Sequence, residues 1–353
     1  MKKTGKYLFS DTDKNNFRKY LQEKTESGSS LFILMDENTK KSCKSKLTDD
    51  FPILKNAGEI VIKSGEQHKT LETCNHIWLK LIAHHADRHS MLINLGGGVV
   101  TDLGGFAAAS YKRGINFCNI PTTLLGMIDA AIGGKTGLDY QGMKNVIGCF
   151  SFAEKTYINP EFLISLPERQ IKSGYAELLK IALISEKLLW KQLQPQDIKD
   201  LSSLTTLIKK AVLLKDKIVQ QDPLEDHIRK TLNFGHTIGH AIESYSLEHD
   251  KKPLLHGEAV AIGMICESWI SKKKKMLSGS ELDEIIFKLI RCSFSEKYKI
   301  DFDGLSAFLI NDKKNSGLKI NFSLLQGIGK AQIDNFIDEK MISEAVMFYN
   351  NLI

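Results

Sequence analysis

The 353-residue chain is most readily classified by what it lacks. Its six cysteines, Cys43, Cys74, Cys118, Cys149, Cys266 and Cys292, are scattered and form no C-x-x-C pair. That argues against a disulfide framework and for reduced, mostly buried thiols of a cytoplasmic protein. No stretch approaches the roughly 20 consecutive apolar residues of a membrane span. No apolar h-region follows Met1-Lys2-Lys3, so the expected location is cytoplasmic. There is no long block of one charge either. The net charge of +6 comes from dispersed lysines such as Lys272 to Lys275, which read as a solvated surface. No basic stretch is interleaved with aromatics, so neither nucleic acid nor a membrane is expected as a partner. Internal repeats and low-complexity segments are also absent.

What remains is a globular composition, 42% hydrophobic and 25% charged, with enough length for two ordinary domains. The first half alternates short apolar runs with helical patterns. Strands are expected at Ser30 to Met35, Glu59 to Ile62, Ser90 to Leu95 and Asn116 to Ile120, the last stopped by Pro121. A polar turn is expected at Asp36-Glu37-Asn38 and a helix over Thr70 to Ala86. Such alternation predicts an α/β domain with a parallel sheet. From about Pro167 onward, strand-like runs nearly vanish. Helices are expected at Glu168 to Ile184, Leu204 to Val219, Arg229 to Tyr245 and Gly257 to Lys272, with the domain boundary between Asn159 and Pro167.

Two segments carry chemistry. The first is Gly96-Gly97-Gly98-Val99-Val100-Thr101-Asp102, between an expected strand and an expected helix. Glycines there let the backbone approach a pyrophosphate, and the helix N-terminus supplies N–H donors. The pattern is not G-x-G-x-x-G, and a tight turn with close helix–sheet packing would also use it. Gly65-Glu66-Gln67-His68-Lys69 and the Asp36/Asn38 pair each follow another strand end, where polar groups can hold a nucleotide.

The second segment is a concentration of histidine. Five of ten histidines fall between His227 and His256. On one continuous helix, Glu225, Arg229, Asn233, His236 and His240 would share a face. Glu225 also has an ordinary explanation as the N3 acid of a capping box begun by Asp222-Pro223, and His227 and His249 read as surface residues. Spacing proposes His236 and His240 as an i, i+4 metal pair with His256 as a third candidate, and Glu177 offers a carboxylate on the face it shares with Lys180.

Over about Leu31 to Gly329, the motifs Ser64 to Lys69, Gly96 to Asp102, Arg113-Gly114, Pro121 to Leu125, Asp129, Gly133 to Gly137, Lys144-Asn145, Glu177 to Lys180, Lys215 to Asp222, Asn233 to His240 and His256 to Glu258 resemble the 3-dehydroquinate synthases. The resemblance implies an N-terminal Rossmann-like α/β domain, residues 1–162, that binds NAD. An all-α domain, residues 163–353, would bind metal and substrate. It implies Glu177, His236 and His256 as zinc ligands, with cobalt as a substitute, and it moves His240 out of the ligand set to a proton-transfer role near the substrate phosphate. It implies NAD contacts from Asp36, Asn38, Glu66, Lys69, Gly98, Asp102, Thr122, Thr123, Asp129, Lys135 and Lys144. Lys135, Lys180, Lys215, Glu225, Arg229 and Asn233 would act with His240 on a phosphorylated keto acid. Arg113, reaching across a homodimer interface, Asn145 and one of Lys313 and Lys314 would bind it.

The activity implied is a phosphorus–oxygen lyase of the shikimate pathway of aromatic amino acid biosynthesis. It would turn 3-deoxy-D-arabino-heptulosonate 7-phosphate into 3-dehydroquinate through transient oxidation by NAD, phosphate elimination, re-reduction and aldol closure. The chain departs from the family pattern in two places: a charged insertion at Glu248 to Lys252, ahead of His256, and Thr101 where glycine is common. A different sugar-phosphate cyclase, a metal-dependent polyol dehydrogenase and a non-catalytic nucleotide-binding protein are the competing readings.

Overall fold

The structure, a computed structural model, describes residues 6–141, 143–293, 298–310 and 319–353. The chain divides into two compact units between Leu166 and Pro167.

The strands of the first unit are β1 (Lys6–Phe9), β2 (Leu31–Asp36), β3 (Gly58–Ile62), β4 (Met91–Gly96), β5 (Asn116–Pro121), β6 (Lys135–Tyr140), β7 (Met143–Phe150) and β8 (Lys155–Ile158). Six of them form one sheet in the order β1-β8-β5-β4-β2-β3. Every neighbouring pair is parallel, so all their C-terminal ends lie along one edge, the edge where open α/β sheets bind ligands. β2 and β4 are apolar runs because both faces of the sheet are covered. Ile33, Leu34, Leu92 and Ile93 are fully buried, each contributing roughly 1.5–3 kcal/mol of transfer free energy. The covering helices are α1 (Ser10–Glu26), α2 (Glu37–Ser42), α3 (Lys44–Asp50), α4 (Leu71–Ala83) and α5 (Gly98–Ser110).

One local expectation needs correction in this unit, and two features were not expected. The stretch after Asp36 is not a polar turn but the start of α2, with the Asp36 carboxylate capping the Thr39 N–H at 2.8 Å. The edge strands β1 and β8, each of four residues, escape a pattern search because they are too short to show a period. The antiparallel hairpin β6–β7 is also missed, because most of β7 is partly or fully exposed and carries no apolar alternation.

The second unit contains α6 (Glu168–Ser185), α7 (Lys187–Gln192), α8 (Leu201–Gln221), α9 (His236–His249), α10 (His256–Lys273), α11 (Gly279–Ser293), α12 (Phe302–Ile310) and α13 (Glu339–Asn350). Helix α10 is buried nearly all round from Gly257 to Ser271, as expected of a helix packed by α6, α9, α11 and α13. The unit is not purely helical. An antiparallel hairpin, β9 (Lys319–Leu325) and β10 (Ala331–Asp338), interrupts it. Among the described residues no helix is long and apolar enough to cross a membrane.

Candidate active site

The expected continuous helix from Arg229 to Tyr245 does not form. α8 ends at Gln221 with Asp222 as its C-cap. The Asp222 carboxylate then accepts the backbone N–H groups of Asp226, His227 and Arg229 at 3.0, 2.7 and 2.9 Å. Burial alone would raise its pKa, but these three donors hold it below the ordinary carboxylate value. Asp222 is therefore the organiser of a loop, not the N-cap of a helix, and the capping-box reading of Glu225 fails with it. Glu225 has φ +65° and its Oε1 accepts from Asn233 Nδ2 at 3.0 Å. A 3-10 turn, Ile228–Asn233, follows, and Gly235 then reverses the chain with φ +79°. The five residues expected on one helical face thus lie on a loop, a 3-10 turn and α9.

That break lets a new helix start at His236. Its N-terminus is capped from α10: Glu267, with no exposed surface, accepts from Gly235 N at 2.6 Å and Ile238 N at 3.2 Å. The helices touch backbone to backbone, since a Cβ on Gly263 would sit 2.0 Å from the Gly235 carbonyl oxygen. His256 is the first residue of α10. Its approach is fixed by Glu258, which accepts from Leu255 N at 2.8 Å and pairs with Arg169. The charged insertion is tied down as well. Ser246 donates to Asp250 Oδ2 and accepts from Leu254 N, Tyr298 donates to the same Asp250 oxygen, and Arg169 reaches the Pro253 carbonyl.

The result is a cluster of one carboxylate and three imidazoles. Glu177 Oε1 lies 3.6 Å from His236 Nε2 and 3.6 Å from His256 Nε2. The possible ligand atoms of His236, His240 and His256 all lie within 4.8 Å of one another. The geometry therefore offers two overlapping triads, Glu177 with His236 and His256, and His236 with His240 and His256. The Glu177 side chain is fully buried, and Lys180 Nζ sits 2.5 Å from its Oε2. Among the described residues neither carboxylate oxygen has a hydrogen-bond donor, and the Lys180 contact is an ion pair to Oε2 alone. An ionised carboxylate in that position costs several kcal/mol unless its charge is met, and one ammonium on the other oxygen leaves Oε1 facing two imidazole nitrogens. The other nitrogen of each ring has a fixed partner. His236 Nδ1 lies 3.1 Å from the Phe234 carbonyl and His256 Nδ1 lies 3.0 Å from Glu243 Oε2. Carbonyl and carboxylate only accept, so Nδ1 carries the proton in each ring. Burial, then Lys180, His240 and His256, holds the His236 imidazole well below its usual pKa and keeps it neutral. Such an acid with two imidazoles fits a borderline divalent cation. His240 is exposed, and its ring centroid lies 4.9 Å from that of His236.

Lys180, which pairs with Glu177, is a buried cation, and Lys215 and Arg229 are buried cations elsewhere in the same unit. Arg229 Nη1 donates to the Pro223 carbonyl at 2.6 Å. His227 and His249 are exposed. Lys313 and Lys314 lie outside the described residues. Sequence reasoning missed Glu243 and Glu267. Glu243 follows His236 by seven residues, two turns, and so shares its face, which was a usable signal. Glu267 shows itself only once α9 and α10 are packed.

In the first unit the glycine turn joins β4 to α5, with Gly96 closing the strand, Gly97 as an N-cap without a side-chain cap, and Gly98 as the first helical residue. A Cβ on Gly97 would meet Thr123 Cγ2 at 3.0 Å. Thr122 N donates to Gly96 O, and Thr123 Oγ1 accepts from Gly126 N. Asp36 ends β2 and Asn38 follows it, and Glu66 and Lys69 follow β3, on the same edge of the sheet. The open helix N-terminus and the side-chain-free turn fit a dinucleotide pyrophosphate. Lys69 is buried, with Nζ 2.6 Å from Asp102 Oδ2 and 2.5 Å from Asn145 Oδ1. Burial opposes its charge, but Asp102, Glu66 and Asp139 outweigh it and raise the ammonium pKa. Asp102 is itself pushed up to about 6, by burial first, against the pull of Lys69. The network continues from Lys69 O to Asp139 N, from Asp139 Oδ1 to Asn145 N, and from Lys144 to Glu66 at 3.7 Å. Asp129 sits close enough to Asp102 to raise it further, whereas Lys135, Asn145 and Arg113 are exposed.

Relatives and solved structures give the family. Residues 59–173 match the 3-dehydroquinate synthase N-terminal model and residues 174–315 the C-terminal model. A 3-dehydroquinate synthase from Parabacteroides distasonis is 41% identical over 327 residues, 90% of this chain and 91% of that protein. Among solved structures, the 2-epi-5-epi-valiolone synthase of Streptomyces hygroscopicus subsp. jinggangensis, with NAD+ and Zn2+ bound, matches at TM-score 0.85 and 26% identity, covering 100% of this chain and 98% of that one. A 2-deoxy-scyllo-inosose synthase complexed with carbaglucose-6-phosphate, NAD+ and Co2+ matches at TM-score 0.85 and 25% identity, covering 96% and 95%. With both halves matched in order and an identity of 41% sustained over nine-tenths of its length, the chain belongs to the 3-dehydroquinate synthase family.

Proposed function

We propose that this chain is a lyase that converts 3-deoxy-D-arabino-heptulosonate 7-phosphate to 3-dehydroquinate and phosphate, a step of aromatic amino acid biosynthesis. The observation that carries the site reading is Glu177 Oε1, buried and facing two imidazole Nε2 atoms at 3.6 Å. The substrate reading is carried by the 41% identity to a 3-dehydroquinate synthase.

Glu177, His236 and His256 hold the metal, zinc or cobalt. Bound there, the ion supplies Lewis-acid polarisation of a substrate hydroxyl. NAD sits on the glycine turn, against Gly98, Thr122, Thr123 and Asp129, with Asp36, Asn38 and Glu66 at neighbouring strand ends and Lys135 and Lys144 from the hairpin. It supplies an oxidation that is reversed within the same turnover, so the cofactor is not consumed. Lys69 and Asp102 keep β3, α5 and the hairpin in register beneath it.

The chain's own side chains do the rest. His240 is exposed beside the cluster and moves the proton that phosphate loss requires. Lys180, Lys215, Arg229 and Asn233 hold the phosphate and carboxylate, since two anionic groups need several fixed donors. Glu225 orients Asn233 through its amide nitrogen. Arg113, Asn145 and one of Lys313 and Lys314 complete the substrate contacts, with Arg113 serving a second subunit of a cytoplasmic homodimer.

The test is a product assay on the purified chain with NAD and zinc. The expected result is dehydroquinate and phosphate in equal amounts with no net NADH. Turnover of another sugar phosphate but not the heptulosonate phosphate would reassign the chain to a different cyclase. NADH accumulating with glycerol-like alcohols would make it a polyol dehydrogenase.

A further inference from the structure

We infer that Glu243 is a positioning residue for the metal centre, holding His256 in the one tautomer and ring orientation that aims Nε2 at Glu177. The inference rests on the proposed metal reading of Glu177, His236 and His256.

The two imidazoles are held by unlike acceptors. His236 is buried, and its Nδ1 is satisfied by the Phe234 carbonyl only two residues away. That support is local and neutral. His256 is more exposed, with 24% of its side-chain surface accessible, and it stands at the very start of α10 after a non-helical approach. Its Nδ1 is 3.0 Å from Glu243 Oε2, contributed by another helix. A charge-assisted bond of this kind is roughly twice as strong as a neutral one. It fixes a proton on Nδ1 and so makes Nε2 the nitrogen through which the ring would bind a metal.

Glu243 is not itself placed to ligate. Its bond is to the nitrogen of His256 that faces away from the Glu177 oxygen, and it is 94% buried, with a relative exposure of 6%. A carboxylate so far from water is costly unless its charge is used. Orienting a ligand and raising its donor strength is such a use, and losing the outer partner of a metal-bound imidazole weakens affinity by about 10–100-fold.

The experiment is a zinc titration of the full-length, metal-stripped chain against a chelating competitor, without NAD or substrate. Folding is checked by circular dichroism and thermal melting. Glu243→Ala is expected to weaken zinc binding by about 10–100-fold and leave NAD affinity unchanged. Glu243→Gln, which keeps a carbonyl acceptor without charge, is expected to fall between wild type and Glu243→Ala. Ring-nitrogen NMR of the metal-free protein is expected to show His256 losing its single tautomer in Glu243→Ala while His236 keeps its own. Wild-type zinc affinity and an unchanged His256 tautomer in a folded variant would overturn the inference; should Glu243→Ala not fold, Glu243→Gln decides by the same criterion. His256→Asn separates the two levels. Zinc lost there but retained in the Glu243 variants sinks this inference alone, whereas zinc retained at wild-type affinity in His256→Asn sinks the metal reading beneath it.

Discussion

At the scale of single residues, the site is governed by buried carboxylates with different partners. Glu177 faces imidazoles and an ammonium, Glu243 the His256 imidazole, Glu267 the backbone N–H groups of Gly235 and Ile238, and Asp222 those of Asp226, His227 and Arg229. Asp222 gives the sharpest prediction about pH. Its folded pKa is depressed, so its contribution is present above the unfolded value of 3.8 and is lost as pH falls through the lower, folded value. Asp222→Asn should cost about 1–3 kcal/mol of stability near neutrality. The difference from wild type, read from denaturant melts, should stay flat above about pH 5 and shrink below about pH 4. A difference constant down to pH 3 would contradict the assignment. Residue pairs within a helix were legible in sequence, as with Glu177 and Lys180 three apart. The contact of His256 with Glu243 was not, because it depends on how α9 and α10 pack.

At the scale of elements, the decisive feature is the break between Asn233 and His236. Periodicity joined Arg229 to Tyr245 because the polar residues recur at helical spacing, but spacing does not register a left-handed glycine or a carboxylate that winds a loop from outside. The hairpin of the second unit escaped for a related reason. Its β10 strand, Ala331–Asp338, carries an irregularity between Gln332 and Asn335, with Asp334 at φ +59°, and the irregularity breaks the alternation by which strands are read. The close approach of α9 to α10 is testable by adding one methyl group. In Gly263→Ala the new Cβ would lie 2.0 Å from Gly235 O and 2.8 Å from Gly239 N. Both are backbone atoms, so the helices must move apart. A loss of at least about 1–3 kcal/mol is expected from the overpacking, together with weaker zinc binding, because Gly235 leads into His236. An unchanged melt with unchanged zinc affinity would show that the contact does not set the site.

At the scale of the whole molecule, the sheet order was not legible in sequence, but the consequence of its being parallel was. Segments read as separate polar or glycine-rich turns after strand ends, at Asp36, Gly65 and Gly96, stand along one edge because parallel strands all end there. The fold class followed from the change of pattern near Pro167, and the family from long motifs spread across both halves. Short edge strands and the exposed hairpin carried too little apolar pattern to be seen. The choice between the two overlapping triads depends on where Glu177 lies relative to His236 and His256, which no spacing within one helix reveals. The central claim is that Glu177, not His240, completes the metal site with His236 and His256. Metal content per chain after equilibrium dialysis against zinc, measured for wild type, Glu177→Gln, His256→Asn and His240→Asn, tests it most directly. The account predicts about one zinc per chain for wild type and His240→Asn, and little for the other two. Zinc kept by Glu177→Gln and lost by His240→Asn would contradict it.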